Sequence, residues 1–331
     1  MVSMNDIARK ANVSIATVSR VLNNSGNVSE ATRARVQEAI KELRYQPSRV
    51  AKRLRSKSTS SQMLGLLIPD IQNPFYVDVL RGIEEIAYNK NYALIMCNYG
   101  QDDKKEKLYL EILRSEAIDG LIAAPAREDD PLLTKMVSDG LPVVCVDRGL
   151  IGVDVDIVVV DNHDGAYQAV QFLIQSGYSR IACISGLQTI QTTRLREQGY
   201  RDAHNHNNLQ VDESLVKRGD SKYKSGQRLC EELLNQPNPP DAIFAGNNLI
   251  TLGALETIHS RGLKIPEDIA LIGFDDMIWS NSLSPPLSAV RQPAWEIGKR
   301  AAELLIQRIE EPGRPSIQIT LKTRLMTRSS T

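Results

Sequence analysis

Residues 6–23 read DIARKANVSIATVSRVLN. Upstream, Ser3 stands three residues before Asp6, the spacing of a capping box with Asp in place of the usual Glu. It opens a first helix that buries Ile7, Ala8 and Ala11. Asn12-Val13 interrupts that helix, and Ser14 caps a second one. The second helix has an apolar stripe of Ile15, Val18, Val21 and Leu22, with Ala16, Thr17, Arg20 and Asn23 on the other face. After the Asn24-Ser25-Gly26 loop, Ser29 caps a third helix that buries Val36, Ala39, Ile40 and Leu43. Three short helices with a tight turn between the first two make a helix-turn-helix. The second helix carries small side chains and one guanidinium on its open face, which suits entry into a major groove. Arg20 can bond bidentately to guanine O6 and N7, whereas Ser14, Thr17 and Asn23 suit phosphates.

Charge supports this assignment. The first 60 residues hold 12 Lys and Arg against 4 Asp and Glu. The remainder holds 28 basic and 36 acidic residues, so a formal net charge of zero conceals a basic segment on an acidic body. With 331 residues and 42% hydrophobic content, the chain is expected to be globular with two or three domains. No apolar run reaches the ~18 residues of a membrane span, and residues 1–14 lack a signal-peptide pattern, so a cytoplasmic protein is expected. Cys97, Cys145, Cys183 and Cys230 are far apart and read as reduced thiols.

The run VSIATVSRVLN, followed by VSEATRARVQEAIKELRYQPSRVAKRL, resembles the DNA-binding headpiece of the lactose/galactose-repressor (LacI/GalR) family, and the similarity continues along the chain. The resemblance implies a headpiece over 1–47 and a hinge helix with linker over 48–61. In such a hinge, which forms when two subunits meet on DNA, Leu54 wedges into a minor-groove step, with Ala51 and Arg55 beside it. Apolar wedges of this kind kink DNA, and Arg49, Lys52, Arg53, Arg55 and Lys57 suit phosphate contact. The expected DNA-contact set is Ser14, Ile15, Ala16, Thr17, Arg20, Asn23, Arg49, Ala51, Leu54 and Arg55.

From Met63 onward, continuous apolar runs such as MLGLLIPD, DGLIAAPA, LPVVCVDR, RIACISG, DAIFAGNN and IALIGFDD alternate with amphipathic helical stretches. That pattern predicts α/β parallel sheets covered on both faces. Nearly 270 residues favour two lobes over one sheet, and the polar clusters ending strands in both halves favour lobes over a TIM barrel. Ligands in open α/β sheets sit beyond the carboxyl ends of strands. There the chain places carboxylates, amides, arginines and aromatics, the groups that bind hydroxyls and cover sugar C–H faces.

The family resemblance extends to this body, which is similar to periplasmic sugar-binding proteins. It implies an N-lobe of about 62–161 and 293–325 and a C-lobe of about 162–292 and 326–331. By the motifs NPFY, VDR, RLREQGY, GNN, GFDD and RQP, it places Asn73, Phe75, Tyr76, Asp147, Arg148, Arg196, Asn247, Asp275 and Gln292 in an effector cleft for a ribose-like sugar. Two positions depart from the pattern. Ser221 stands where an aromatic often stacks on the ligand, with Tyr223 or Trp279 as alternative faces, and Asn248 replaces a common Asp.

The expected function is a sugar-responsive repressor, a homodimer on pseudo-palindromic operator DNA. One alternative is a catabolite-control-type regulator sensing a phosphorylated carrier protein, whose cleft would not need the VDR and RLRE residues. Another is a sugar-processing α/β enzyme fused to a helix-turn-helix. The chain has no GxGxxG, GxxxxGK[ST], HExxH or GxSxG, so neither catalysis nor a cofactor is expected. His204 and His206 lack a third ligand, so no metal is expected. His163 and His259 read as surface or packing residues, and Asp154-Val155-Asp156 as a solvated loop.

Overall fold

The computed structural model describes residues 2–22, 25–45 and 60–331. Asn23 and the hinge residues Arg49, Ala51, Leu54 and Arg55 lie outside the described residues. Two compact units divide near Ser60.

The first unit holds α1 (Met4–Ala11), α2 (Ile15–Leu22) and α3 (Glu30–Glu42). At α1, the Ser3 backbone N–H donates to Asp6 at 2.9 Å and the Asp6 N–H donates back to Ser3 Oγ, a capping box. Asn12, at φ 52, ends the helix in left-handed backbone. Ser14 Oγ accepts from Thr17 N at 3.1 Å and caps α2, and Ser29 caps α3 in the same way. Ile7, Ala8, Ala11, Val18, Val21, Val36 and Ala39 form the core, with Ile40 and Leu43 only partly buried against it. Ile15 departs from its expected place in the stripe. It is 48% exposed, because at the first turn of α2 it precedes the helix's contact with the core.

The body is two open, six-stranded sheets rather than a barrel. In the N-lobe, β1 (Met63–Ile68), β2 (Ala93–Asn98), β3 (Gly120–Ala123), β4 (Val143–Val146), β5 (Asp156–Val160) and β11 (Gln318–Leu321) take the order β11-β5-β4-β3-β1-β2. In the C-lobe, β6 (Ile181–Ser185), β7 (Val216–Arg218), β8 (Ala242–Ala245), β9 (Ala270–Phe274), β10 (Ser288–Arg291) and β12 (Arg324–Met326) take the equivalent order β12-β10-β9-β8-β6-β7. All pairings are parallel except that of β12 with β10. The central strands are buried along their whole length, as strands covered by helices on both faces must be.

The N-lobe helices are α4 (Pro74–Asn89), α5 (Asp103–Ser115), α6 (Pro131–Ser138) and α11 (Ala294–Glu310). Those of the C-lobe are α7 (Asn162–Gln175), α8 (Gln191–His206), α9 (Tyr223–Leu234) and α10 (Asn248–Ser260). Helices α4 and α11 touch through glycines. A Cβ on Gly298 would lie 1.9 Å from the Val79 carbonyl oxygen, so no larger residue fits.

The chain crosses between the lobes after β5, after β10 and after β11. The last crossover lies between Leu321 and Arg324, earlier than the expected 325, because Arg324–Met326 already pairs with β10.

A further correction concerns Asp156. It is no solvated loop residue. It begins β5, is wholly buried, and accepts from Arg308 at 2.6 Å, Arg314 at 2.6 Å and Ile317 N at 2.8 Å. All four cysteines are buried, and desolvation pushes the thiols of Cys145 and Cys230 up to about 12.

Candidate functional sites

In the first unit, Ser14, Ile15, Ala16 and Arg20 are exposed together, and Thr17 is half-buried beside them. Arg20 lies along Gly26, whose φ of +73 admits no side chain comfortably. A Cβ there would meet the Arg20 Cδ at 3.4 Å. The guanidinium is thus carried on a stem packed against the loop that follows α2. The face combines one long cation with small neighbours, the arrangement that a major groove accepts.

In the body, the ends of the equivalent strands β4 and β9 each carry an aspartate in left-handed backbone, Asp147 at φ 67 and Asp275 at φ 76. Such backbone is uncommon outside glycine and is tolerated best by Asn and Asp. Both N–H groups donate to the neighbouring strand, Asp147 to Val158 O at 3.2 Å and Asp275 to Val290 O at 2.9 Å. The two carboxylates therefore enter one cleft from opposite lobes.

Tyr76, on α4, donates its hydroxyl to Asp147 at 3.0 Å, and the Arg148 Nη2 donates to the Tyr76 oxygen at 3.3 Å. Burial alone would favour a neutral Arg148, but Tyr76 and Asp147 beside it hold the guanidinium protonated. Gln292 Nε2 donates to Asp275 at 2.5 Å. Burial raises the Asp275 pKa, against the opposing pull of Arg196 and Gln292. Arg196, on α8, donates to Asn162 Oδ1 and to Gly246 O, both at 2.8 Å, and stacks 3.7 Å over the Phe274 ring. Asn247 caps α10 through Ile250 N and donates to Ser221 O.

All nine expected cleft residues, Asn73, Phe75, Tyr76, Asp147, Arg148, Arg196, Asn247, Asp275 and Gln292, line a single cavity of about 60 Å³. On its walls the buried Gln292 Oε1 has no hydrogen-bond partner, and Arg148 Nε lies 3.3 Å from the Asp147 carboxylate. Tyr223 and Trp279 do not line it, so the aromatic faces come from Phe75 and Tyr76. Ser221 does line it, packed onto Gly186, where a Cβ would fall 1.9 Å from the Ser221 Oγ.

Asn248 and Arg194 instead bridge the lobes. Asn248 Nδ2 donates to Asn73 Oδ1 at 2.7 Å, and Arg194 donates to Glu128 at 2.5 Å. Asp276 turns away from the cavity to Arg291 and Arg328. Gln101, Ser185, Ile190 and Thr192 also line the cavity. None of them lies in a recognisable site motif: Gln101 and Ile190 sit on loops, Ser185 ends β6 and Thr192 opens α8. Their only signal was a position close to the carboxyl end of β2 or β6.

Among the described residues, no cluster of His, Cys, Asp and Glu could hold a metal, and no helix is long and apolar enough to cross a membrane. His204 is buried with its Nδ1 2.9 Å from Tyr200 O, and His163 pairs with Asp202.

A helix-turn-helix unit followed by a two-lobe body with a polar interlobe cleft defines an effector-responsive DNA-binding regulator. Residues 3–48 match the family described as bacterial regulatory proteins, lacI family. Residues 61–328 match that described as periplasmic binding proteins and sugar binding domain of LacI family. The chain belongs to the LacI family. It is 35% identical over 333 residues to the HTH-type transcriptional repressor PurR of Aliivibrio fischeri strain MJ11, covering 100% of this chain and 98% of that one. It is also 35% identical to the ribose operon repressor of Escherichia coli K12, covering 100% of both. Among solved structures it resembles a CelR–cellobiose complex, at 32% identity, TM-score 0.76 and full coverage of both chains. It also resembles the lac repressor dimer bound to operator and the anti-inducer ONPF, at 25% identity, TM-score 0.84 and coverage of 100% and 99%. The chain is a DNA-binding transcriptional regulator controlled by a small molecule, not an enzyme.

Proposed function

We propose that the protein is a cytoplasmic homodimer that represses transcription from a pseudo-palindromic operator, under control of a neutral monosaccharide bound between the lobes. The carrying observation is the unpartnered buried acceptor in the cavity, Gln292 Oε1, set beside the carboxylates of Asp147 and Asp275. A buried polar atom left unpaired costs ~1–3 kcal/mol, and a hydroxyl can donate to that oxygen and to the neighbouring carboxylates. Both guanidiniums already have protein partners, and three carboxylates, Asp70, Asp147 and Asp275, share the lining. This balance disfavours a phosphorylated ligand. A cavity of about 60 Å³ holds about four to six waters, the bulk of one sugar ring.

Asn73, Phe75, Tyr76, Asp147, Arg148, Arg196, Asn247, Asp275 and Gln292 form the effector set. Ser14, Ile15, Ala16, Thr17 and Arg20 meet DNA, together with Asn23, Arg49, Ala51, Leu54 and Arg55 from outside the described residues. Sugar binding changes operator affinity because the DNA-competent and incompetent states bind the sugar differently. The relatives' repressor names and the operator-bound dimer support this reading.

Calorimetry against pentoses, hexoses and their phosphates, followed by operator binding with and without the ligand found, tests the proposal. A free sugar that shifts operator affinity without being consumed is the expected result; binding of sugar phosphates alone would overturn it. Arg20→Ala should cost ~1–3 kcal/mol on the matched operator and relax preference at one base pair. Unchanged preference would remove Arg20 from base reading.

A further inference from the structure

Glu106, on α5, is a carboxylic side chain only 2% exposed and outside the lining of the polar cavity. It accepts from Ala126 N at 2.9 Å, and among the described residues no cation is hydrogen-bonded to it. Charged and titratable groups face it from each element packed around it. Asp130, at the start of α6, and Asp103, one turn earlier on α5, repel its negative form, and the Arg148 guanidinium after β4 attracts it. The Tyr99 hydroxyl, beyond β2, donates to Ala124 O at 2.9 Å, and burial keeps that phenol neutral. Burial and the two acidic neighbours outweigh one backbone donor and Arg148, so the Glu106 carboxyl is pushed up to about 7.

The amide that Glu106 holds belongs to the loop 126–130, which reaches across the cleft. Glu128 of this loop accepts from Arg194 of the other lobe at 2.5 Å, and Arg194 donates as well to Gln188 O at 3.0 Å. Asp130, at the end of the loop, caps α6 through Leu133 N. Asp103, Ala126 and Arg148 also line a cavity of about 150 Å³ whose opposite wall, from the second lobe, is Leu187, Thr189 and Ile190. The groups that set the charge of Glu106 therefore lie along the seam at which the two lobes part.

We propose that Glu106 is a proton-operated latch on the cleft. With its carboxyl neutral, the loop 126–130 stays seated and Glu128 holds Arg194 across the lobes. With its proton given up to solvent, the buried charge beside Asp103 and Asp130 favours release of the loop and opening of the cleft, whatever ligand the inner cavity takes. The charge is penalised only while buried, so each opening returns Glu106 to its ordinary range. Closure is then most stable below about 4.5 and weakens as pH rises to about 7.

Hydrogen–deuterium exchange of the full chain without ligand, from pH 5 to pH 8 and corrected for the intrinsic rate at each pH, tests the latch. The reporters are the Ala126 amide, bonded to Glu106, and the Ile190 amide of the second lobe, bonded to Leu187 O at 3.1 Å. Opening at both should rise about fivefold to tenfold from pH 6 to pH 8 and level off above about 7, while the amides of β8 stay unchanged. In Glu106→Gln both reporters should be independent of pH. Asp130→Asn keeps a capping side chain and removes one repelling charge, so it should bring the levelling to lower pH, which a merely structural role for Glu106 would not do. Arg194→Gln should leave Ala126 responsive and silence Ile190. The same pH response in Glu106→Gln overturns the proposal, as does opening of β8 in step with the loops. An Ile190 amide indifferent to pH in the parent, or still responsive in Arg194→Gln, overturns the transfer across the lobes and with it the latch.

Discussion

The two lobes repeat one plan and use it differently. Each ends its β4 or β9 strand with an aspartate in left-handed backbone facing the cleft. The next residue diverges. In the N-lobe it is Arg148, buried in the cleft against Tyr76 and Asp147. In the C-lobe it is Asp276, turned outward to anchor Arg291 and Arg328. A single position therefore supplies a cleft-lining cation in one half and a structural clamp in the other. Their buried glutamates differ as well. Glu106 of the N-lobe has a backbone N–H partner and no hydrogen-bonded cation, with Asp103 and Asp130 adding repulsion and Arg148 opposing it. Burial pushes it up to about 7. Glu197 of the C-lobe is also penalised by burial, but Arg218 and Arg201 more than offset this and lower its pKa. Topology dictates where such residues sit, and their charge partners decide whether they serve binding or folding.

The largest expected effect tests the clamp. Asp276→Ala leaves Arg328 and Arg291 without their shared carboxylate, and loss of a buried partner costs ~3–5 kcal/mol. Urea unfolding should show that loss, while the folded fraction keeps its sugar affinity. Reduced affinity with unaltered stability would place Asp276 in the site instead.

Asp275→Ala should act in the opposite sense. Sugar affinity should fall at least tenfold with basal operator affinity nearly unchanged, because the effector loses an acceptor and Gln292 loses its partner. Calorimetry with a gel-shift control decides it, and normal sugar sensitivity would break the symmetry drawn between Asp147 and Asp275.

Glu106 sharpens the comparison through pH. Its folded pKa lies above the unfolded value, so its favourable contribution is complete below about 4.5 and is lost as pH rises through about 7. Glu197 has a lowered folded pKa, so its contribution is present above about 4.5 and is lost as pH falls through the folded value. Glu106→Gln should match the parent near pH 4 and gain ~3 kcal/mol at pH 8. Thermal melts at the two pH values provide the check, and an equal shift at both would rule out titration.

The smallest effect concerns the bridge between lobes. Arg194→Gln removes a partly exposed pair worth ~0.2–1 kcal/mol. Sugar should bind about twofold to fivefold more weakly with unchanged melting temperature. No change would mean that the pair does not bias closure.

Much of this architecture was legible in the sequence because the causes are local. Ser3, Ser14 and Ser29 cap helices through bonds to residues three positions away. Continuous apolar runs are read as buried strands without reference to distant partners. The polar motifs that follow those runs must lie at strand ends, and that is why nine residues from six motifs meet in one cavity. Asp156 resisted the same reading. Its neighbours Asp154 and Val155 suggest a loop, but its partners Arg308 and Arg314 lie 152 and 158 residues away. The outward turn of Asp276 and the Arg194–Glu128 bridge are of the same kind, being set by segments that meet only after the lobes have folded. The sequence by itself determined the helix caps, the two-lobe α/β plan and the set of polar side chains at the strand ends. Which carboxylates are neutralised by distant arginines and which line the cleft was settled by the tertiary structure alone, because burial and charge pairing depend on what the fold brings within a few ångströms.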